Sequence, residues 1–157
     1  MRDVSATDMT DAPKNIHHFN LAVLKLLTTL YESFPSPKNL DPHILNDICF
    51  DAVPEEASEE DSWEIGNMGE DVITFLEEEG FLRYEPDPNY REGYYGKTRL
   101  SLKGLTILGS VPNSLESQDK RSLIERAKDA LSSMRTSAGS EAGKQVVSEI
   151  FKMALGG

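Results

Sequence analysis

Apolar residues crowd the stretch from Ile16 to Phe34: Ile16, Phe19, Leu21, Val23, Leu24, Leu26, Leu27, Leu30, Tyr31 and Phe34. They occupy more than one face of a helix, which places that helix at the centre of a core. The "PSP" at 35–37 ends it. A second helix is expected in "NLDPHILNDICF", with Asp41 as N-cap, Pro42 at the first helical position, and Leu45, Ile48 and Cys49 as the inner stripe. "DAVPEEASEEDSW" breaks the periodicity and reads as an acidic loop with room for a short helical turn. "NMGEDVITFLEEEG" restores it as a third helix. Asn67 is its expected cap, with Glu70 at the capping-box spacing and Gly80 at its C-terminal end. Met68, Val72, Phe75 and Leu76 form the inward stripe, with Ile73 beside it.

The period then changes. "FLRYEP" and "TRLSL" read as two strands around the turn-rich "DPNYREGYYGK". A short helix follows in "SLKGLTILGSV", starting near Ser101 or Lys103. "KRSLIERAKDALSSM" and "KQVVSEIFKMAL" are amphipathic helices separated by "RTSAGSEAG". The resulting fold class is mainly α with a small β-hairpin (α+β). Three parts are expected: a loose polar tail over 1–14, a domain over 15–110, and a C-terminal helical extension over 118–157.

The junction "FLEEEGFLRYEP" followed by "TRLSLKGLTIL" resembles the helix exit and strand-to-helix close of winged helix-turn-helix domains of the bacterial regulator type. The resemblance covers roughly residues 16–109. It implies a helix-turn-helix pair on 41–49 and 67–80 and a wing on 81–102. Two features depart from the family's pattern. About 17 residues separate the second and third helices, and the helix in the recognition position is strongly acidic.

Charge bears on what such a scaffold can do. The formal net charge is −11, and residues 51–80 alone hold twelve acids and no Lys or Arg. The remainder of the chain therefore sums to +1. Glu55, Glu56, Glu59, Glu60, Glu70, Asp71, Glu77 and Glu78 form an acidic belt that suits a basic protein partner or a mimic of nucleic-acid charge. The third helix offers a phosphate backbone nothing to offset repulsion. The wing is better suited. Residues 81–103 carry a net +2, with Arg83, Arg91, Lys97 and Arg99 interleaved with Tyr84, Tyr90, Tyr94 and Tyr95. That mixture serves base stacking, a protein interface, or simply a half-buried hairpin. Lys120, Arg121, Arg126 and Lys128, diluted by Glu125 and Asp129, read as a solvated helix face.

Catalytic and metal signals are thin. His17 and His18 point about 100° apart on a helix and do not share a metal in one register. No Cys or His cluster has ligand spacing. Gly139 to Lys144 is one residue short of a phosphate-binding loop, and Gln145 stands where Ser or Thr belongs. Cys49, the single cysteine, reads as a buried small hydrophobe between Asp47 and Asp51. No apolar run approaches the roughly 18 residues of a membrane span, and Met1 to Lys14 lacks a signal-peptide core.

The expectation is a soluble, cytoplasmic, non-enzymatic interaction module in a regulatory system, without a cofactor. Two alternatives stand beside it: a dimeric transcription regulator that touches DNA through the wing, and a structural subunit of a complex. The apolar stripes of the extension (Leu123, Ala127, Leu131, Val147, Ile150 and Phe151) need burial and motivate a homodimer. The family resembled here often dimerises through added terminal helices, which points the same way.

Overall fold

The computed structural model describes residues 13–87, 89, 93–112, 119–134 and 140–156. The polar stretch over 1–12 falls outside these residues, as do Tyr90 and Arg91 of the expected wing. Helix α1 (Lys14–Ser33) begins within the segment expected to be tail. Leu21, Leu24, Leu26, Leu27 and Leu30 along it are all fully buried. That is the all-round burial the apolar pattern predicts, and α1 is the central helix of the core. Helices α2, α3 and α4, strand β3, and helices α6 and α7 all pack on it.

Strand β1 (Lys38–Leu40) follows the proline turn and was not legible in the sequence. Helix α2 (Pro42–Phe50) starts as expected, with the Asp41 carboxylate accepting from the Ile44 amide at 2.8 Å. The acidic segment then forms a full helix, α3 (Glu59–Gly66). Ser58 caps it, accepting from the Asp61 amide at 3.0 Å. Glu59, Glu60 and Asp61 occupy the first turn, where the helix dipole favours negative charge. This local stabilisation is what the loop reading missed.

Helix α4 (Gly69–Glu78) does not use the predicted capping box. Asn67 closes α3 instead, its Nδ2 donating to Trp63 O at 2.8 Å, and Met68 at the α4 N-cap makes no side-chain cap. Gly69 is buried, and a Cβ there would stand 3.2 Å from Leu45 Cβ and 3.3 Å from Cys49 Sγ. Its bare backbone lets α4 approach α2 closely. Val72, Ile73 and Leu76 are buried, with Met68 and Phe75 packed partly against them. The exit of α4 follows the prediction. Gly80 has φ +84°, the Gly80 amide donates to Glu77 O, and the Phe81 amide donates to Leu76 O. Together these make a Schellman close.

Strands β2 (Leu82–Glu85) and β3 (Tyr95–Leu100) pair antiparallel, and β1 pairs antiparallel on the other edge of β3. The order is β1-β3-β2, a three-stranded sheet where a bare hairpin was expected. Register slips by one residue on both edges: Arg83 faces Arg99 but Glu85 faces Gly96, and Lys38 faces Thr98 but Leu40 faces Tyr95. The extra residue is absorbed where Lys97 takes φ +51°.

Helix α5 (Leu102–Gly109) is capped by Ser101. Ser101 Oγ accepts from the Gly104 amide at 3.0 Å and donates to Gly80 O at 2.5 Å. The Ser101 amide donates to Phe81 O at 3.0 Å. The α4 exit and the α5 entry are thus one joint.

Helices α6 (Leu123–Met134) and α7 (Ser140–Gly156) correct the dimer argument. Leu123, Ala127, Val147 and Ile150 are buried within the chain, in the same core as α1, and Leu131 and Phe151 are half-buried against it. Phe151 meets Phe19, Phe75 and Phe81 at ring-centroid distances of 6.2, 5.9 and 5.8 Å. The stripes that were to join a second copy are spent on the first. Arg126 is not on a solvated face either. It is buried, paired with Glu149 of α7 and 3.5 Å from Asp119. Among the described residues no helix is long and apolar enough to cross a membrane.

Candidate interaction surfaces

The acidic belt is displayed by α3, by the loop before it and by α4. Glu55, Glu56, Glu59, Glu60, Glu70, Asp71, Glu77 and Glu78 are all exposed. None of the eight forms an ion pair among the described residues. Cations elsewhere on the chain are engaged with other acids: Lys14 with Asp61 at 3.4 Å, Lys25 with Asp51 at 2.6 Å, and Lys128 with Glu32 at 3.3 Å. Helices α6 and α7 pack on α1 and leave the belt uncovered.

Glu70 differs from the rest of the belt. It reaches over to the sheet, where the Tyr95 hydroxyl donates to its Oε1 at 3.2 Å. Burial, then the Glu70 charge and this hydrogen bond, push the Tyr95 phenol up to about 12. Tyr84 packs edge-on to Tyr95 with centroids 4.9 Å apart. Its phenol is also raised, by burial first and then by Glu77 and Glu78. Tyr95 is buried and Tyr94 is half-buried, so Tyr95 is a joint between α4 and the sheet rather than a stacking platform.

The basic residues of the wing divide by role. Lys103 donates to Glu79 O at 3.2 Å and lies 5.8 Å from the Phe81 ring centre, so it closes the C-terminal end of α4. Lys97 stands 3.9 Å from Glu85, and its amide donates to Asn39 Oδ1 at 2.9 Å. Arg83 and Arg99 face each other across β2 and β3, both exposed, and neither forms an ion pair among the described residues. Two like charges directly opposite destabilise a sheet.

Sequence reasoning weighed His17 and His18 only as metal ligands. The structure places His18 in the core wall, 3% exposed, with Nδ1 3.1 Å from Glu64 Oε1 and Nε2 3.7 Å from Asp61 Oδ1. Burial, then the neighbouring His18, lower the pKa of His17 against an opposing pull from Asp61. Both histidines line a cleft of about 290 Å³ with Pro54, Glu56 and Met134. A cleft of about 520 Å³ further along α1 is lined by Lys25, Glu32, Asp51 and Lys128, whose charges are already paired. No group of three or more His, Cys, Asp or Glu side chains arranged to hold a metal occurs among the described residues.

One surface residue was passed over entirely. Trp63, the only tryptophan, projects from the acidic helix α3 with 67% of its surface exposed. Its signal was available: a lone indole in a segment otherwise of acids and small residues. Comparison with family models, with curated proteins and with solved structures finds no match to this chain.

Proposed function

We propose that this chain is a non-enzymatic interaction module of a regulatory system, built on a winged-helix scaffold and engaging a basic protein partner through its acidic belt. The hairpin β2–β3 that leaves α4, and its close into α5, support the scaffold. Helix α3 then stands as an insertion between the two helices of the helix-turn-helix pair. The observation that carries the function is the display of eight carboxylates, all exposed and none ion-paired among the described residues. Like charges held together on a folded surface cost self-repulsion, and a cationic partner relieves it. The test is affinity capture with the wild-type chain beside an E59K/E60K/E77K/E78K variant. A basic partner recovered by the first and lost by the second is the expected result. Equal recovery by both refutes the belt.

A second reading has its own observation. Arg83 and Arg99 face each other exposed on the sheet with no ion pair among the described residues, a feature that a phosphate backbone would neutralise. Anisotropy of a labelled random-sequence duplex at about 50 and about 200 mM salt separates the two. Submicromolar, steeply salt-dependent binding that falls in R83A/R99A would put DNA contact first. Absence of binding leaves the protein-interaction reading in place.

A further inference from the structure

Trp63 does not stand alone at the surface. Phe50, on the last turn of α2, is 42% exposed, and its ring lies over Gly66, where any Cβ would overlap it. Trp63 and Gly66 are one turn apart on the same face of α3. The indole and the phenyl ring are thus both exposed on the face where α3 meets α2. Its base is held in place. Asn67 Nδ2 donates to Trp63 O at 2.8 Å, and the Asn46 amide, oriented to satisfy both its ends, donates to Gly66 O at 3.1 Å. The rim is acidic on both helices. Glu59 and Glu60 stand one turn before Trp63, and Asp47 one turn before Phe50, all exposed. Asp47 lies 3.9 Å from His43.

An exposed tryptophan on a fixed backbone, ringed by charge of one sign, has the makeup of an interface anchor. We infer that Trp63 and Phe50 dock a basic amphipathic segment of a partner protein. Its apolar residues lie on the two rings, and its Lys and Arg side chains face Glu59, Glu60 and Asp47. This inference rests on the reading of the belt as an interaction surface and names the place and the chemistry. A second copy of the chain is the wrong occupant, because it would set Glu59 and Glu60 against their own kind on a molecule of net charge −11.

Because Trp63 is the only tryptophan, its emission reports this surface and no other. The probe is a short peptide of leucine and lysine patterned with helical period, beside a scrambled isomer of the same composition. In the full chain at low salt, the patterned peptide is expected to shift Trp63 emission to the blue and shield it from acrylamide. The scrambled isomer is expected to bind at least about tenfold more weakly. With the peptide labelled for anisotropy, W63A and F50A should each weaken binding about fivefold or more, while E77K/E78K on α4 should change it less than about twofold. Circular dichroism checks that each variant is folded, and both mutated rings are exposed enough that it should be.

Three results overturn the inference, and they differ in what else they remove. Peptide binding that survives W63A, leaves the emission unmoved and disappears in E77K/E78K moves the site to α4 and keeps the belt. No binding of either peptide at low salt removes both the patch and the belt. An emission shift that grows with protein concentration in the absence of peptide makes the occupant a second copy.

Discussion

The joint between the α4 exit and the α5 entry can be tested with a single methyl group. A Cβ on Gly104 would lie inside the envelope of the Phe81 carbonyl oxygen, 3.0 Å from its carbonyl carbon and 3.3 Å from its Cα. All three are backbone atoms, so no side chain can swing aside. Gly104→Ala therefore has to push α5 off Phe81. Overpacking of this kind costs about 2 kcal/mol. Two hydrogen bonds stretch with it, from the Ser101 amide to Phe81 O and from the Gly104 amide to Ser101 Oγ, each 3.0 Å now. They contribute about 1 kcal/mol each. Against this, alanine gains at most about 1 kcal/mol over glycine in a helix. The net expectation is a loss of about 3 kcal/mol. In urea, with a slope of about 2 kcal/mol per molar, the unfolding midpoint falls by about 1.5 M with the slope unchanged. Gly109→Ala, at the end of the same helix, is the control, since the nearest atom its Cβ meets is Tyr31 Oη at an ordinary 3.9 Å. It should be neutral or slightly stabilising. A Gly104→Ala protein as stable as the wild type would refute the close approach and, with it, the idea that the joint fixes the hairpin against α4.

Burial pushes the Cys49 thiol up to about 12, so it should resist a disulfide reagent at mildly alkaline pH and react fully once urea unfolds the chain. Prompt labelling of the folded protein would refute its burial. The Tyr95 phenol is raised in the fold, so its contribution to stability is complete below the ordinary tyrosine value of about 10 and is lost as pH climbs towards about 12. Ultraviolet titration should show a late phenol that Glu70→Gln brings down, and an unchanged titration in that variant would break the Glu70–Tyr95 link. Phe151→Ala removes the ring shared by α1, α4 and α7. Because Phe151 is only half-buried, the cost should be about 2–3 kcal/mol in urea unfolding, and a loss below 1 kcal/mol would mean the aromatic cluster is dispensable. In light scattering at micromolar concentration the chain is expected to run as a monomer. A dimer mass would have to use some face other than the α6–α7 stripes.

The legible parts of the fold were those governed by local rules. The saturated apolar pattern of α1, the Asp41–Pro42 start of α2, the Gly80 exit of α4 and the Ser101 start of α5 are settled by side chains within a few residues of the event. What escaped depends on distance. Strand β1 is three residues long and exists because the edge of β3 accepts it. Helix α3 looked like a loop because acids hide its apolar positions, Ile65 and the glycine under Phe50. Asn67 was given to the wrong helix because two helices meet there. The fate of the C-terminal stripes could not be read at all, since an amphipathic face announces that it will be covered and not by what. The belt was legible as charge. Trp63 escaped because its segment reads as a loop, and an aromatic residue has no inner or outer face until the helix that carries it is seen.

The place of α1 has a consequence for the order in which the protein can be made. Helix α1 leaves the ribosome well before α6 and α7, yet part of its surface is reserved for them. Phe19 waits for Phe151, and Leu24 for the neighbourhood of Gly143. Until those segments emerge, the fully buried leucines of α1 lack the partners that α6 and α7 supply. Nascent chains halted before α7 should therefore be clients of chaperones and proteases rather than folded intermediates. The packing around α1 is then complete only once α7 has closed over it.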